Sequence, residues 1–275
     1  MSYAASETSF LNPGFWGNPT SSIDWCELNY EHTPYVCEFF NTLSSLALVV
    51  AGAVGVLLHR RALETRFLLA FAGLSIVGLG SIAFHATLRF ELQMLDELPM
   101  LYAVILLVYI LLEDGPLPRF GPWLSFVLLG HAALVTYLCA FTRGILQFYL
   151  FQFSFGSLEF FSLYRCYRLY KKAKRETARR LFRAGMSLYG VAIVLWFIDI
   201  RFCGAMRALP SFGIPNPQLH AWWHVLVSAG FFLLVLLIAF ERAQTLGHDP
   251  EIRRAMWLVP YLETKRTTSR GRGDA

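Results

Sequence analysis

"QLHAWWHVLVSAGFFLLVLL", residues Gln218–Leu237, decides the fold. It offers about the 20 residues that a helix needs to cross the hydrocarbon of a bilayer. Yet it opens with His220 and His224, which are i, i+4 and therefore share one helix face. The whole chain is similarly apolar. Of its 275 residues, 56% are hydrophobic and 16% charged, against about 25% charged in a soluble domain. Six clear apolar stretches and a seventh, interrupted one run along it: 39–58, 67–88, 97–112, 122–141, 145–164, 184–200 and 220–240. The third is short, and the fifth is broken by Gln147, Gln152 and Glu159.

These stretches predict an all-α fold, a seven-transmembrane helix bundle. An N-terminal segment, 1–38, precedes a membrane domain, 39–240, and a basic tail, 241–275. The first 38 residues lack the basic start and apolar core of a secretory signal peptide. Orientation follows from charge. Of the 24 Lys and Arg, all but Arg89, Arg143, Arg201 and Arg207 fall on one side of the predicted topology. That side is cytosolic by the positive-inside rule and includes the C-terminus; the N-terminus is luminal or extracellular. The net charge of +5 then reports topology and attraction to anionic lipid heads rather than nucleic-acid binding.

Ionisable side chains within a membrane are costly and point to function. The second span ends in "GLGSIAFHATL", with Ser81 and His85 at i, i+4; the third opens on "LQMLDELPM", with Asp96; the seventh opens on His220. The topology, derived from charges elsewhere, delivers Ser81, His85, Asp96, His220 and His224 to one outer layer. Two imidazoles on one face and a third from a neighbouring helix are the ligand set of a catalytic zinc, whose fourth position takes water. Such a zinc lowers the pKa of that water to about 7 and polarises a carbonyl. Asp96 is the proton carrier in this reading, and Ser81 an oxyanion donor. The plainer alternatives are a carboxylate at a helix N-terminus for Asp96 and a helix-packing hydroxyl for Ser81. Trp222 and Trp223 read as aromatics of the membrane interface.

A second cluster, "SSIDWCELNYEHTPYVCEFFN", gathers Asp24, Glu27, Asn29, Glu31 and Glu38 with no Lys or Arg among them. Hard oxygen donors suit calcium, although no EF-hand pattern is present, and a solvated acidic loop is the alternative. Cys26, Cys37 and Cys203 fall on the non-cytosolic side, where disulfides persist. Spacing does not choose between the pairs.

Taken together, "DWCELNY", "SIAFHATLRFELQMLDELPM", "WFIDIRFC" and "QLHAWWH" resemble the alkaline ceramidase family of seven-span membrane hydrolases, in the family's order, from about residue 15 to 240. The resemblance implies hydrolysis of the amide of ceramide or phytoceramide to a sphingoid base and a fatty acid. It implies zinc on His85, His220 and His224, Asp96 as acid/base and Ser81 as oxyanion donor. It further implies calcium on the side chains of Asp24, Glu27, Asn29 and Glu38 and the main-chain carbonyl of Trp25, and a Cys26–Cys203 disulfide. Work at alkaline pH in the endoplasmic reticulum or Golgi, with calcium dependence, belongs to the same set of implications. The partner is the membrane lipid substrate; no nucleic acid and no obligate protein partner are expected. Asp199 also matches, with no role beyond a contact behind the ligands, and Glu159 has none. Rival readings are a receptor of the progestin and adipokine-receptor type, a lipid-remodelling hydrolase acting on anchored proteins, and a scaffold or channel with structural zinc. The "DWCELNY" cluster favours the ceramidases over the receptor.

Overall fold

The computed structural model describes residues 14–265. The start of the N-terminal segment and the tail sequence "RTTSRGRGDA" lie outside the described residues. The helices are α1 (Phe39–Ser44), α2 (Leu46–His59), α3 (Thr65–Thr87), α4 (Phe90–Leu112), α5 (Pro122–Phe141), α6 (Gly144–Lys172), α7 (Glu176–Arg201), α8 (Cys203–Ala208) and α9 (Leu219–Thr245). A hairpin, β1 (Asp249–Ala255) and β2 (Val259–Lys265), follows, and it is the only strand pair among the described residues. Most of the stretch read as a plain basic tail is thus structured. Leu262 is buried, and its N–H donates to His59 Nε2 over 3.0 Å, docking the hairpin on the end of α2.

Among the described residues, six helical segments are long and apolar enough to cross a membrane: α1 with α2, α3, α4, α5, α7 and α9. The fifth of the seven expected spans is α6, which runs for 29 residues but is more polar. Its Gln147 is buried without penalty because Gln147 Nε2 donates to Glu97 Oε2 at 2.6 Å, and Gln93 Nε2 to Gln147 Oε1 at 3.0 Å. Gln93 also donates to Glu97 Oε1 at 2.8 Å, closing a three-residue network between α4 and α6.

Two features of α3 and α4 position the site. Helix α4 starts at Phe90 rather than at 97, so Asp96 lies almost two turns inside it. The reading of Asp96 as a helix-start carboxylate therefore fails, because the dipole acts only over the first turn. Pro99, further along α4, lacks the N–H that would bond the Leu95 carbonyl. A Cβ on Gly80 of α3 would overlap that same carbonyl. Glycine there lets α3 lie directly on α4 and sets Ser81 beside Asp96. On the other side of the bundle α9 packs on α7, with Gly230 against the Tyr189 backbone.

The N-terminal segment is strapped over the histidine end of the bundle. Helix α3 ends with Leu88 in the left-handed region at φ 47°, and the Leu88 carbonyl accepts the N–H groups of Thr20 and Ser21. Ser22 N–H donates to Gln93 Oε1 at 2.7 Å, and Cys37 and Glu38 N–H donate to the carbonyls of Ala86 and His85 at 2.9 Å. The Cys26–Cys203 disulfide, with Cα atoms 5.2 Å apart, ties the segment to α8, while Cys37 is free and buried.

Candidate active site

His85 comes from the last turn of α3, and His220 and His224 from the first turns of α9; all three are buried. Their ring centroids lie 4.7–5.2 Å apart. Among the described residues, they form the one group of three or more His, Cys, Asp or Glu whose ligand atoms all lie within 4.8 Å of one another. His85 Nε2 and His220 Nδ1 are buried with no hydrogen-bond partner. Unpaired polar atoms in an interior are costly, and two such nitrogens in a three-imidazole cluster fit a metal ion.

The opposite edges of two rings are held from outside. His85 Nδ1 bonds Glu38 Oε2 at 2.5 Å, and His224 Nδ1 bonds Ser44 Oγ at 2.8 Å in the α1–α2 corner. Metal-ligating histidines are held in this manner by carboxylates and hydroxyls that fix ring orientation. His220 is fixed by stacking, with its ring 3.7 Å from that of Trp25 and 5.2 Å from that of Trp223. Trp223 therefore belongs to the site and not to an interface belt, whereas Trp222 is exposed. Asp199 accepts the backbone N–H of Cys26 at 3.3 Å and lies next to the backbone of His220, so it joins α9 to the strap behind the histidines.

Ser81 lies beside the Asp96 carboxyl and accepts from Ser45 Oγ at 3.0 Å, with His224 Nε2 3.5 Å away. Asp96 and His220 line one wall of a cavity of about 260 Å³, which continues between α4, α6, α7 and α9 past Phe151, Phe155, Trp196 and Trp223. Its walls are mostly aromatic and aliphatic, the lining expected for a hydrocarbon ligand.

The acidic loop is gathered but less tightly closed than the histidines. Glu38 Oε1 accepts Trp25 N–H at 3.1 Å, and Glu38 Oε2 accepts Asn41 Nδ2 at 3.1 Å. Glu27 accepts the N–H groups of Phe40 and Asn41 at 2.7 and 2.9 Å, satisfying the start of α1. Asn29 Nδ2 donates to Asp24 at 3.3 Å, leaving Asn29 Oδ1 buried and unpartnered. Glu31 is exposed. Burial and the nearby Glu38 charge push Asp24 up to about 7; burial pushes Glu27 up to about 7 and Glu38 up to about 8.

The expectation that no cation accompanies this loop is corrected. Arg207 of α8 donates to the carbonyls of Trp25, Cys26 and Glu27 at 2.9–3.2 Å, and its charge lowers the Asp24 and Glu38 pKa values. Sequence reading assigned Arg207 only to topology, because it comes from the far end of the chain.

A helical bundle of membrane character, with a buried histidine centre facing a carboxyl at the head of an apolar cavity, is the architecture of an intramembrane hydrolase. The ceramidase family pattern matches residues 17–263. The chain is 32% identical to mouse (Mus musculus) alkaline ceramidase 3, over 90% of this chain and 94% of that one. It is 30% identical to an Arabidopsis thaliana alkaline ceramidase, over 92% and 96%, and 28% identical to human (Homo sapiens) alkaline ceramidase 1, over 92% and 97%. The chain belongs to the alkaline ceramidase family and is a hydrolase of that class.

Proposed function

We propose that this enzyme hydrolyses the amide of ceramide or phytoceramide to a sphingoid base and a free fatty acid, with zinc as cofactor and calcium as stimulant. The observation that carries this reading is the unpaired His85 and His220 nitrogens in the triad beside Asp96, at the head of a hydrocarbon-lined cavity. His85, His220 and His224 would hold the zinc. A zinc ion there supplies a water of lowered pKa and polarisation of the amide carbonyl. Asp96 takes the proton released by the attacking water and returns it to the departing amine. Ser81, on the Asp96 side of the triad, donates its hydroxyl proton toward the developing oxyanion.

Calcium would be held by Asp24, Glu27, Asn29 and Glu38 and by the Trp25 carbonyl, which it would share with Arg207. The buried carboxylates, raised in pKa by burial, and the unpartnered Asn29 Oδ1 support that assignment. In the same reading α6 is a seventh crossing, the N-terminus is luminal, and the enzyme resides in the endoplasmic reticulum or Golgi. The test is turnover of labelled ceramide by purified protein in detergent, with and without a chelator. Chelation is expected to abolish release of fatty acid and zinc to restore it; full turnover in metal-free protein would refute the zinc reading.

A further inference from the structure

Deep in the cavity lies a polar pair that the reaction does not use. Glu159 of α6 and Tyr189 of α7 lie beside each other, and both line the 260 Å³ cavity. Both also line a smaller space of about 50 Å³ beyond it, walled by Leu48, Leu74, Val104 and Phe231. The pair thus stands where the main cavity narrows into a second one. Two helices give its depth. On α7, Asp199 is level with the histidine layer, next to the His220 backbone, and the stretch from Tyr189 to Asp199 spans roughly 15 Å at the helical rise. On α9, Gly230 packs against the Tyr189 backbone, and the stretch from His220 to Gly230 is again roughly 15 Å. Glu159 therefore meets a bound lipid far down a tail, well below the amide and the hydroxyls next to it.

The geometry points to Glu159, beside Tyr189, as a tail-selecting group that disfavours bare hydrocarbon at its depth. This rests on the ceramide reading of the site above. A carboxyl has more hydrogen-bonding capacity than one phenol satisfies, and the remainder faces the cavity. A tail that ends above Glu159 leaves room for water to complete those bonds. A tail carrying a hydroxyl at that depth completes them itself. A longer saturated tail expels the water and supplies nothing, and a buried polar group is left unmet. Sites built with such groups discriminate through the partner they leave unpaired.

The experiment measures kcat/KM for purified wild type, Glu159→Leu, Glu159→Gln and Tyr189→Phe on ceramides. The acyl chain is varied from short to very long, then the sphingoid chain, and one member carries a mid-chain hydroxyl. In one of the two series, wild type is expected to favour tails that end short of Glu159 and the hydroxylated tail. Glu159→Leu is expected to raise the long-to-short ratio by roughly tenfold or more. Glu159→Gln, still polar, keeps the wild-type order, and Tyr189→Phe keeps its direction. Because a ratio is read, a lower yield of folded variant does not change the answer. Identical ratios for wild type and Glu159→Leu in both series overturn the inference. Failure of wild type to cleave any ceramide would instead overturn the proposed function.

Discussion

Asp96 has no helix-terminal dipole to stabilise its charge; Ser81 lies beside it, and Glu97 is its charged neighbour. A carboxyl placed this way suits proton transfer better than a fixed negative charge would. Asp96→Asn can still hydrogen-bond but cannot carry a proton, so it is expected to retain metal while kcat falls by roughly 10²–10⁴. Metal content by mass spectrometry, measured beside turnover, checks this; a metal-loaded, fully active Asn variant would refute the role. Replacing His85, His220 or His224 by Ala is expected to lower metal content and turnover together. Glu38 behaves differently from the rest of the acidic loop, because it bonds His85 directly. Glu38→Ala is expected to weaken metal binding by roughly 10–100-fold, the usual cost of losing a carboxylate behind a ligand, as read by competition with a chelator.

At the level of elements, the histidine pair on α9 and the match of α3 to α9 were legible because i, i+4 spacing and charge asymmetry are local signals. The start of α4 was not. "FELQMLD" lies ahead of the apolar run, and its helix is explained only when Gln147, far along the chain, is seen to complete the bonds of Gln93 and Glu97. The apolar span alone begins at 97, and the network adds the preceding two turns. Gln147→Leu removes the partner and leaves two buried polar groups unmet, so it is expected to cost about 1–3 kcal/mol. Thermal unfolding in detergent would show this as a lowered midpoint; an unchanged midpoint would mean the network is not a structural one. The stacking of Trp25 and Trp223 on His220 was also illegible, since it depends on how the strap and α9 meet.

Across the whole molecule, the strap from Gly14 to Glu38 joins α3 to α7 and α8 at the histidine end of the bundle through Cys26–Cys203, Arg207 and Asp199. The acidic character of that strap was legible, but not its compensating Arg207. Closing a loop with a separation of 177 residues is worth on the order of 4 kcal/mol or more in the chain-entropy model. Cys203→Ser is therefore expected to lower the melting temperature, and unreduced peptide mapping to recover a Cys26–Cys203 link and none through Cys37. Calcium is expected to raise the melting temperature of wild type by mass action and to do so less in Asp24→Ala, which spares the histidine contact that Glu38 makes. Superimposable calcium titrations of the two proteins would leave the loop merely acidic.

Glu38 spans both centres: one oxygen meets the Trp25 N–H within the loop, and the other meets His85 and Asn41. If the loop holds a cation and the histidines hold zinc, a carboxylate shared in this way links the two thermodynamically. Whatever factor a cation in the loop applies to zinc affinity, zinc must return to that cation's affinity, since coupling free energy is reciprocal. Occupancy at the strap and occupancy in the buried centre would then each depend on the other, so that the concentration of one ion influences the availability of the other.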